Sequence, residues 1–301
     1  MNLQNKFIIG FAQSNPDYGI NKNNDFENVF KELFRHGFKY FDTAENYKFS
    51  DKFIKRLPEK KSKIITKISF NFNTKDNFRK SIKKKVYDIL KKNNLNKLYG
   101  LLIHDPLLPL NKLIWPIIFG ELKKLKKKKI IDKIGISVYN KFELNEVLRV
   151  FKPEIVQFPL NIFNQSFNDR QYLQSLKDKG IELHARSIFL QGLLLKDKVE
   201  DKNFRMWHED FKKWKSFTKR NKLNKLNACL LFVLKNKLID KIVIGLSNKK
   251  QLDHFINEVK IIKRKNHIDY NFNELKSEDI FLKDPRYWPN EKNISLKYHK
   301  Q

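Results

Sequence analysis

Residues 63–67 read Lys63-Ile64-Ile65-Thr66-Lys67, a run with a short, continuously apolar centre and a lysine at each end. Lys241-Ile242-Val243-Ile244, near the other end of the chain, again has a short, continuously apolar centre after a lysine. Such runs suit strands buried on both faces, covered by helices outside and packed on other strands inside. Working outward, β-branched and aromatic runs fall at 7–11, 40–43, 63–68, 99–103, 133–137, 155–158, 182–187 and 241–244. Helix-period segments lie between them at 25–36, 74–93, 110–128, 141–151, 169–179, 223–237 and 248–263, with an extra one near 204–220. This alternation predicts parallel βα units, and eight of them predict an α/β fold, a single (β/α)8 TIM barrel. Local signals agree. Thr74 and Asn248 are predicted to cap helices, and Gly37 and Gly180 follow helical segments where a left-handed C-cap position needs glycine. No linker divides the chain, so the barrel is expected over 1–266 with a C-terminal tail over 267–301. The tail carries Asp284-Pro285-Arg286-Tyr287-Trp288-Pro289 without periodicity, and two readings stay open for it: a cover over a pocket or barrel face, or a packed terminus.

Composition narrows the class. With 41% hydrophobic residues and 13% aromatics over 301 residues, the chain has material for a large core. A single cysteine, Cys229, excludes an internal disulfide framework and any multi-cysteine metal site. The start, Met1-Asn2-Leu3-Gln4-Asn5-Lys6-Phe7, lacks the regions of a signal peptide, and the apolar stretches fall short of a membrane span, so a cytoplasmic address is expected. The charge is unusual: 63 Lys and Arg against 33 Asp and Glu give +30. That excess points on its face to a polyanionic partner. Yet it is spread along the whole length, and Lys123-Lys124-Leu125-Lys126-Lys127-Lys128-Lys129 reads as the solvated face of an amphipathic helix without interleaved aromatics.

The glycines exclude several chemistries: no G-x-G-x-x-G or G-x-x-x-x-G-K-[ST] is present, and Gly135-Ile136-Ser137-Val138-Tyr139 lacks the second glycine of a nucleophile elbow. The seven histidines include no H-E-x-x-H, so no metal site is expected. In a barrel, active-site residues project from the carboxyl ends of strands. There Asp42 ends the second strand with Tyr47 five residues on, Lys67 ends the third, and His104 follows the fourth in Leu102-Ile103-His104-Asp105. An acid, a lysine, a histidine and a tyrosine on three adjacent strands suit proton transfer. A tyrosine is a poor acid at neutral pH unless a cation lies nearby, and a lysine held by an aspartate would supply one. Taken singly, Asp42 with Lys67 also reads as a structural ion pair, His104 as a rim histidine and Tyr47 as a loop aromatic.

Together these residues resemble the catalytic tetrad of the aldo-keto reductases, and the resemblance runs from about residue 7 to residue 263. It implies that Tyr47 is the general acid, that Lys67 and Asp42 tune it, and that His104 orients a carbonyl. Gly135-Ile136-Ser137 is similar to the family's Gly-x-Ser-Asn stretch, and Gln157 to the glutamine that contacts the nicotinamide carboxamide. Ser187 with Phe189-Leu190-Gln191-Gly192 resembles the loop along the cofactor pyrophosphate. Gly245-Leu246-Ser247-Asn248 with Gln251 resembles the segment that holds the adenosine end. Gly10-Phe11-Ala12-Gln13 through Asp17-Tyr18-Gly19-Ile20 resembles a bacterial subgroup associated with sugar metabolism. There are departures: Val138 replaces the asparagine after the serine, and the loop after Tyr47 reads Lys48-Phe49-Ser50-Asp51. Phe255 stands where an asparagine often meets adenine, and Gln251 where an arginine often meets the 2′-phosphate.

The expected protein is therefore an oxidoreductase that moves a hydride from a nicotinamide cofactor, NADPH in preference to NADH, to an aldehyde or ketone, with a sugar-derived carbonyl in view. Two alternatives remain: a cofactor-binding regulatory or interaction protein on the same barrel, and a polyanion- or nucleic-acid-binding protein using the +30 charge.

Overall fold

The strand runs form because their residues bury both faces. In the computed structural model, which describes residues 5–14, 25–47, 49–70, 78–197, 199, 202–265 and 269–288, Ile64 is 3% exposed and Ile65 fully buried. Ile64 packs outward among helix residues, while Ile65 packs inward with Ile8, Tyr40, Leu102 and Ile155. Among the described residues the strands are β1 (Phe7–Gly10), β2 (Tyr40–Asp42), β3 (Lys63–Ile68), β4 (Leu98–Ile103), β5 (Ile131–Ser137), β6 (Ile155–Pro159), β7 (Glu182–Arg186) and β8 (Lys241–Gly245). They pair in parallel and in chain order, and β8 closes on β1. Side chains fill the inside tightly. A Cβ on Gly100 would come within 2.8 Å of Ile155 Cδ1 from across the barrel, and one on Gly135 within 2.5 Å of Ile155 O. The glycine of the Gly-x-Ser stretch is thus required by packing as well.

Among the described residues the α-helices are α1 (Phe26–Leu33), α2 (Ser50–Ile54), α3 (Phe78–Asn93), α4 (Trp115–Lys127), α5 (Lys141–Leu148), α6 (Arg170–Asp178), α7 (His208–Arg220), α8 (Lys225–Lys235), α9 (Lys249–Lys265) and α10 (Ile280–Lys283). The lysine run of α4 is solvated while Ile118, Leu122 and Leu125 are buried. Side-chain caps set the boundaries that periodicity blurs. Asn111 Oδ1 accepts from Leu113 and Ile114 N, holding back the predicted start at 110, and Asn224 accepts from Asn227 N to begin α8. Asn248 caps α9 through Gln251 N, as expected, and Gly37 and Gly180 have φ of 73° and 75°. The cap predicted at Thr74 lies outside the described residues. Helices α2 and α10, of five and four residues, were not expected because they are too short to show a period.

Beyond α9 the chain packs across α7 and α8. Phe272 meets Phe217 and Phe232, Trp207 Nε1 donates to Asp279, and Trp288 stacks edge-on to Phe204. These anchors carry Pro285 and Arg286 over the carboxyl end of the barrel. Residues 269–288 thus pack on the barrel's helices and also bring Pro285 and Arg286 to the cavity wall. No helix among the described residues is long and apolar enough to cross a membrane.

Candidate active site at the carboxyl end of the barrel

Register places the strand-end residues around one opening. Asp42 pairs with Gly10 and Ile65, Lys67 with Leu102, Ser137 with Gln157, and Gly10 with Gly245. All the residues singled out in the sequence, from Asp42, Tyr47, Lys67 and His104 to Ser137, Gln157, Ser187, Gln191, Gly192, Gly245, Ser247 and Gln251, line a single cavity of about 430 Å³. Among the described residues no cluster of histidine, cysteine and carboxylate side chains is arranged to hold a metal.

One side of the cavity is built on a buried ion pair. Lys67 Nζ lies 2.5 Å from Asp42 Oδ1, with the two side chains 3% and 4% exposed, and donates also to Thr43 O at 3.0 Å. The other oxygen of Asp42 accepts from Gln157 Nε2 at 2.9 Å. Tyr47 is placed by its loop: Thr43 Oγ1 donates to Ser50 Oγ, which donates to Tyr47 O, and Tyr47 N donates to Ala44 O. Asp51, in the departing Lys48-Phe49-Ser50-Asp51 segment, ties α2 to α3 through Lys92. Lys48 lies outside the described residues.

The electrostatics differ from expectation at one point. Burial pushes the Tyr47 phenol above its ordinary value, and the Asp42 carboxylate pushes the same way. The cation that draws it back is Arg186 rather than Lys67, because the ammonium of Lys67 faces Asp42 and stands 5.6 Å from the centre of the Tyr47 ring. Burial lowers Lys67 itself, against the pull of Asp42. Burial, reinforced by Lys67 and Arg186, lowers His104 to about 4, so its imidazole is neutral at physiological pH.

The opposite wall is the loop after β7. Ser187, Leu190 and Gln191 have φ of 57°, 47° and 53°, with Gly192 at 91°. Such conformations cost about 1–3 kcal/mol each in residues other than glycine. The segment is held by buried Leu190, Leu193 and Leu194 and by the bond from Trp214 Nε1 to Leu194 O. Gln251 Oε1 accepts from Ser247 N at 2.8 Å, tying the α9 entrance to the cavity wall. Phe255 points into the core, edge-on to Phe7 with ring centres 4.8 Å apart. Val138 is fully buried, and its carbonyl accepts from Arg186. Residues 15–20 of the start lie outside the described residues.

Comparison with known proteins now decides the family. The sequence matches the aldo/keto reductase family over residues 6–270. The chain belongs to the aldo-keto reductase family. An aldo-keto reductase from Bacillus halodurans, AKR11C1 in its holo form, is similar in fold at 15% identity. The match covers 96% of this chain and 94% of that one, with a TM-score of 0.68. The glycerol dehydrogenase AKR11B4 from Gluconobacter oxydans matches at 17% identity over 88% and 93% of the two chains, with a TM-score of 0.61. No curated protein matches the sequence. As an aldo-keto reductase the chain is an NAD(P)H-dependent oxidoreductase acting on small carbonyl compounds.

Among the residues of this reductase's cavity that the sequence did not single out are Tyr139, Arg186 and Arg286. The Arg186 guanidinium lies 4.3 Å, and that of Arg286 3.4 Å, from the centre of the Tyr139 ring. Arg186 could have been found by the rule that found Lys67, since it is the charged last residue of its strand. Arg286 had no such signal, because only the tail's packing brings it to the barrel mouth.

Proposed function

We propose that this aldo-keto reductase reduces an aldehyde or ketone with NADPH, with Tyr47 as the proton donor and His104 as the hydrogen-bond donor that orients the carbonyl oxygen. The observation that carries the reading is Gln157: its Nε2 is engaged by Asp42, while its buried Oε1 has no partner among the described residues. A buried acceptor left open is costly, and a nicotinamide carboxamide N–H fits it. Ser137 and Gln157 would hold the carboxamide; Ser187, Gln191 and Gly192 the pyrophosphate; and Gly245, Ser247 and Gln251 the adenosine end. When bound, the cofactor supplies the hydride.

The chain's own residues do the rest. A phenol held above its ordinary value stays protonated through neutral pH, so Tyr47 carries the proton that a developing alkoxide takes up. Neutral His104 donates one ring N–H without bringing a charge. Asp42, held by Lys67 and Gln157, fixes the ammonium beside the tyrosine ring. Sugar-derived carbonyls lead the substrate panel, supported by the resemblance at the start of the chain and by the glycerol dehydrogenase name of the Gluconobacter neighbour. We also place the protein in the cytoplasm, a reading supported by the single, buried thiol of Cys229. The test is a titration with NADPH and NADH followed by quenching of intrinsic fluorescence, then a carbonyl panel that includes sugar aldehydes. Micromolar or tighter NADPH binding and turnover are expected, and absence of binding by either reduced nicotinamide at low salt refutes the reading.

A further inference from the structure

We propose that the carbonyl substrate carries an anionic group, a carboxylate or a phosphate, and that Arg186 is the residue that holds it. This rests on the reductase reading of the same cavity. The charges on the cavity wall are matched unevenly. Asp42 and Lys67 neutralise each other at 2.5 Å. Arg286 is gripped by both oxygens of Asp284, with Glu143 3.5 Å away. Arg186 is different. Among the described residues no carboxylate pairs with it, and its hydrogen bonds go to two neutral oxygens, Val138 O at 3.1 Å and Ser187 Oγ at 3.4 Å. A guanidinium has five N–H donors in a planar fork suited to carboxylate and phosphate, so donors remain for a ligand. The half-buried cation is also held in orientation, because its face lies over Tyr139, whose ring is held in turn by Arg286.

Arg186 lines the same cavity as Tyr47, Lys67 and His104. The charge of Arg186 is felt at Tyr47, Lys67 and His104, the groups beside the reacting carbonyl. A partly desolvated cation without a counter-charge is unfavourable, and an anionic substituent near the carbonyl removes that cost only when substrate is bound. The result is selection for anionic over neutral carbonyls of the same size.

The test compares wild type with Arg186→Met and Arg186→Lys on two matched pairs, succinic semialdehyde with butanal and glycolaldehyde phosphate with glycolaldehyde. Each is assayed for kcat/KM with NADPH. Calorimetric titrations with the unreactive alcohols γ-hydroxybutyrate and butanol run in parallel. Wild type should prefer an anionic member by about tenfold or more, the worth of one charged hydrogen-bond pair. The preference should collapse in Arg186→Met through a higher KM, return in part in Arg186→Lys, and weaken with salt. The pair that shows it identifies carboxylate or phosphate. Equal use of charged and neutral members by wild type overturns the proposal. So does a preference that survives in Arg186→Met, or a variant that loses NADPH affinity with the ratio unchanged, which would assign Arg186 to the cofactor. If no carbonyl is turned over but γ-hydroxybutyrate binds selectively through Arg186, the anion subsite stands and the reductase reading falls. Should Arg186→Met fail to fold, the wild-type ratios and their salt dependence decide.

Discussion

The two mouths of the barrel carry the same four kinds of group, a carboxylate, a lysine, a tyrosine and a histidine, and arrange them in opposite ways. At the carboxyl end are Asp42, Lys67, Tyr47 and His104; at the amino end are Glu182, Lys133, Tyr99 and His184. At the amino end everything converges on the acid: Lys133 pairs with Glu182, Tyr99 OH donates to it at 2.7 Å, and His184 Nε2 lies 2.8 Å from it. Burial works to raise the Glu182 carboxyl, but these bonds hold it well below the usual carboxylate range. At the carboxyl end the acid is engaged by Lys67 and Gln157, and Tyr47 and His104 line a cavity instead. Residue types therefore do not make a proton-transfer site. What differs is that the tyrosine and histidine of the amino end bind the carboxylate, whereas those of the carboxyl end line a cavity.

The largest test of this contrast is a pair of tyrosine substitutions. Tyr47→Phe should lower carbonyl reduction by at least about 10²-fold while the NADPH dissociation constant changes little. Tyr99→Phe should leave turnover intact and lower the unfolding free energy by about 1–3 kcal/mol, since Glu182 loses a buried donor. Near wild-type reduction by Tyr47→Phe would erase the distinction between the mouths.

Next come the lysines. Lys67→Met leaves Asp42 buried without its counter-charge, so a loss of about 3–5 kcal/mol is expected in urea denaturation, together with loss of activity. Lys133→Met should cost less, because Tyr99 and His184 still serve Glu182 and the Lys133 side chain is 33% exposed. Equal losses would show that burial of the two pairs does not govern their energetics.

A third test uses pH. The folded-state value of Glu182 is depressed, so its stabilisation is present above the ordinary glutamate value, about 4.5, and is lost as pH falls toward the folded value. The stability gap between wild type and Glu182→Gln should therefore be widest near neutrality and close in acid. A gap independent of pH would mean that Glu182 is not held as a carboxylate by its neighbours.

The smallest effect concerns His104 and Tyr47 together. With His104 lowered to about 4 and Tyr47 raised, kcat/KM for reduction should stay level from roughly pH 5 to pH 9. A fall near pH 6.5 would indicate a solvated histidine and would break the assignment of the carboxyl mouth as the desolvated, reactive one.

Much of this was legible in sequence for identifiable reasons. Ile64-Ile65 and Ile242-Val243-Ile244 announce strands buried on both faces. The rule that barrel chemistry sits at strand ends singled out Asp42, Lys67 and His104 before any contact was known. Arg186, the charged last residue of β7, satisfies the same rule but was not singled out. The direction of the Tyr47 shift was not legible either, since proximity in a motif says nothing about which partner an ammonium faces.

The sequence by itself determined the barrel, its strand order and the residue types at its mouth, because burial periodicity and strand-end position are local properties of the chain. Tertiary structure alone decided which charges are satisfied. Gln157 meets Asp42 across 115 residues, and Arg286 reaches Tyr139 only because Trp288 and Phe272 anchor the tail. Hydrogen bonds and counter-charges act over a few ångströms between atoms whose separation along the chain carries no record of their meeting. The state of Tyr47, the open acceptor on Gln157 and the unmatched cation of Arg186 were therefore fixed only when the barrel closed.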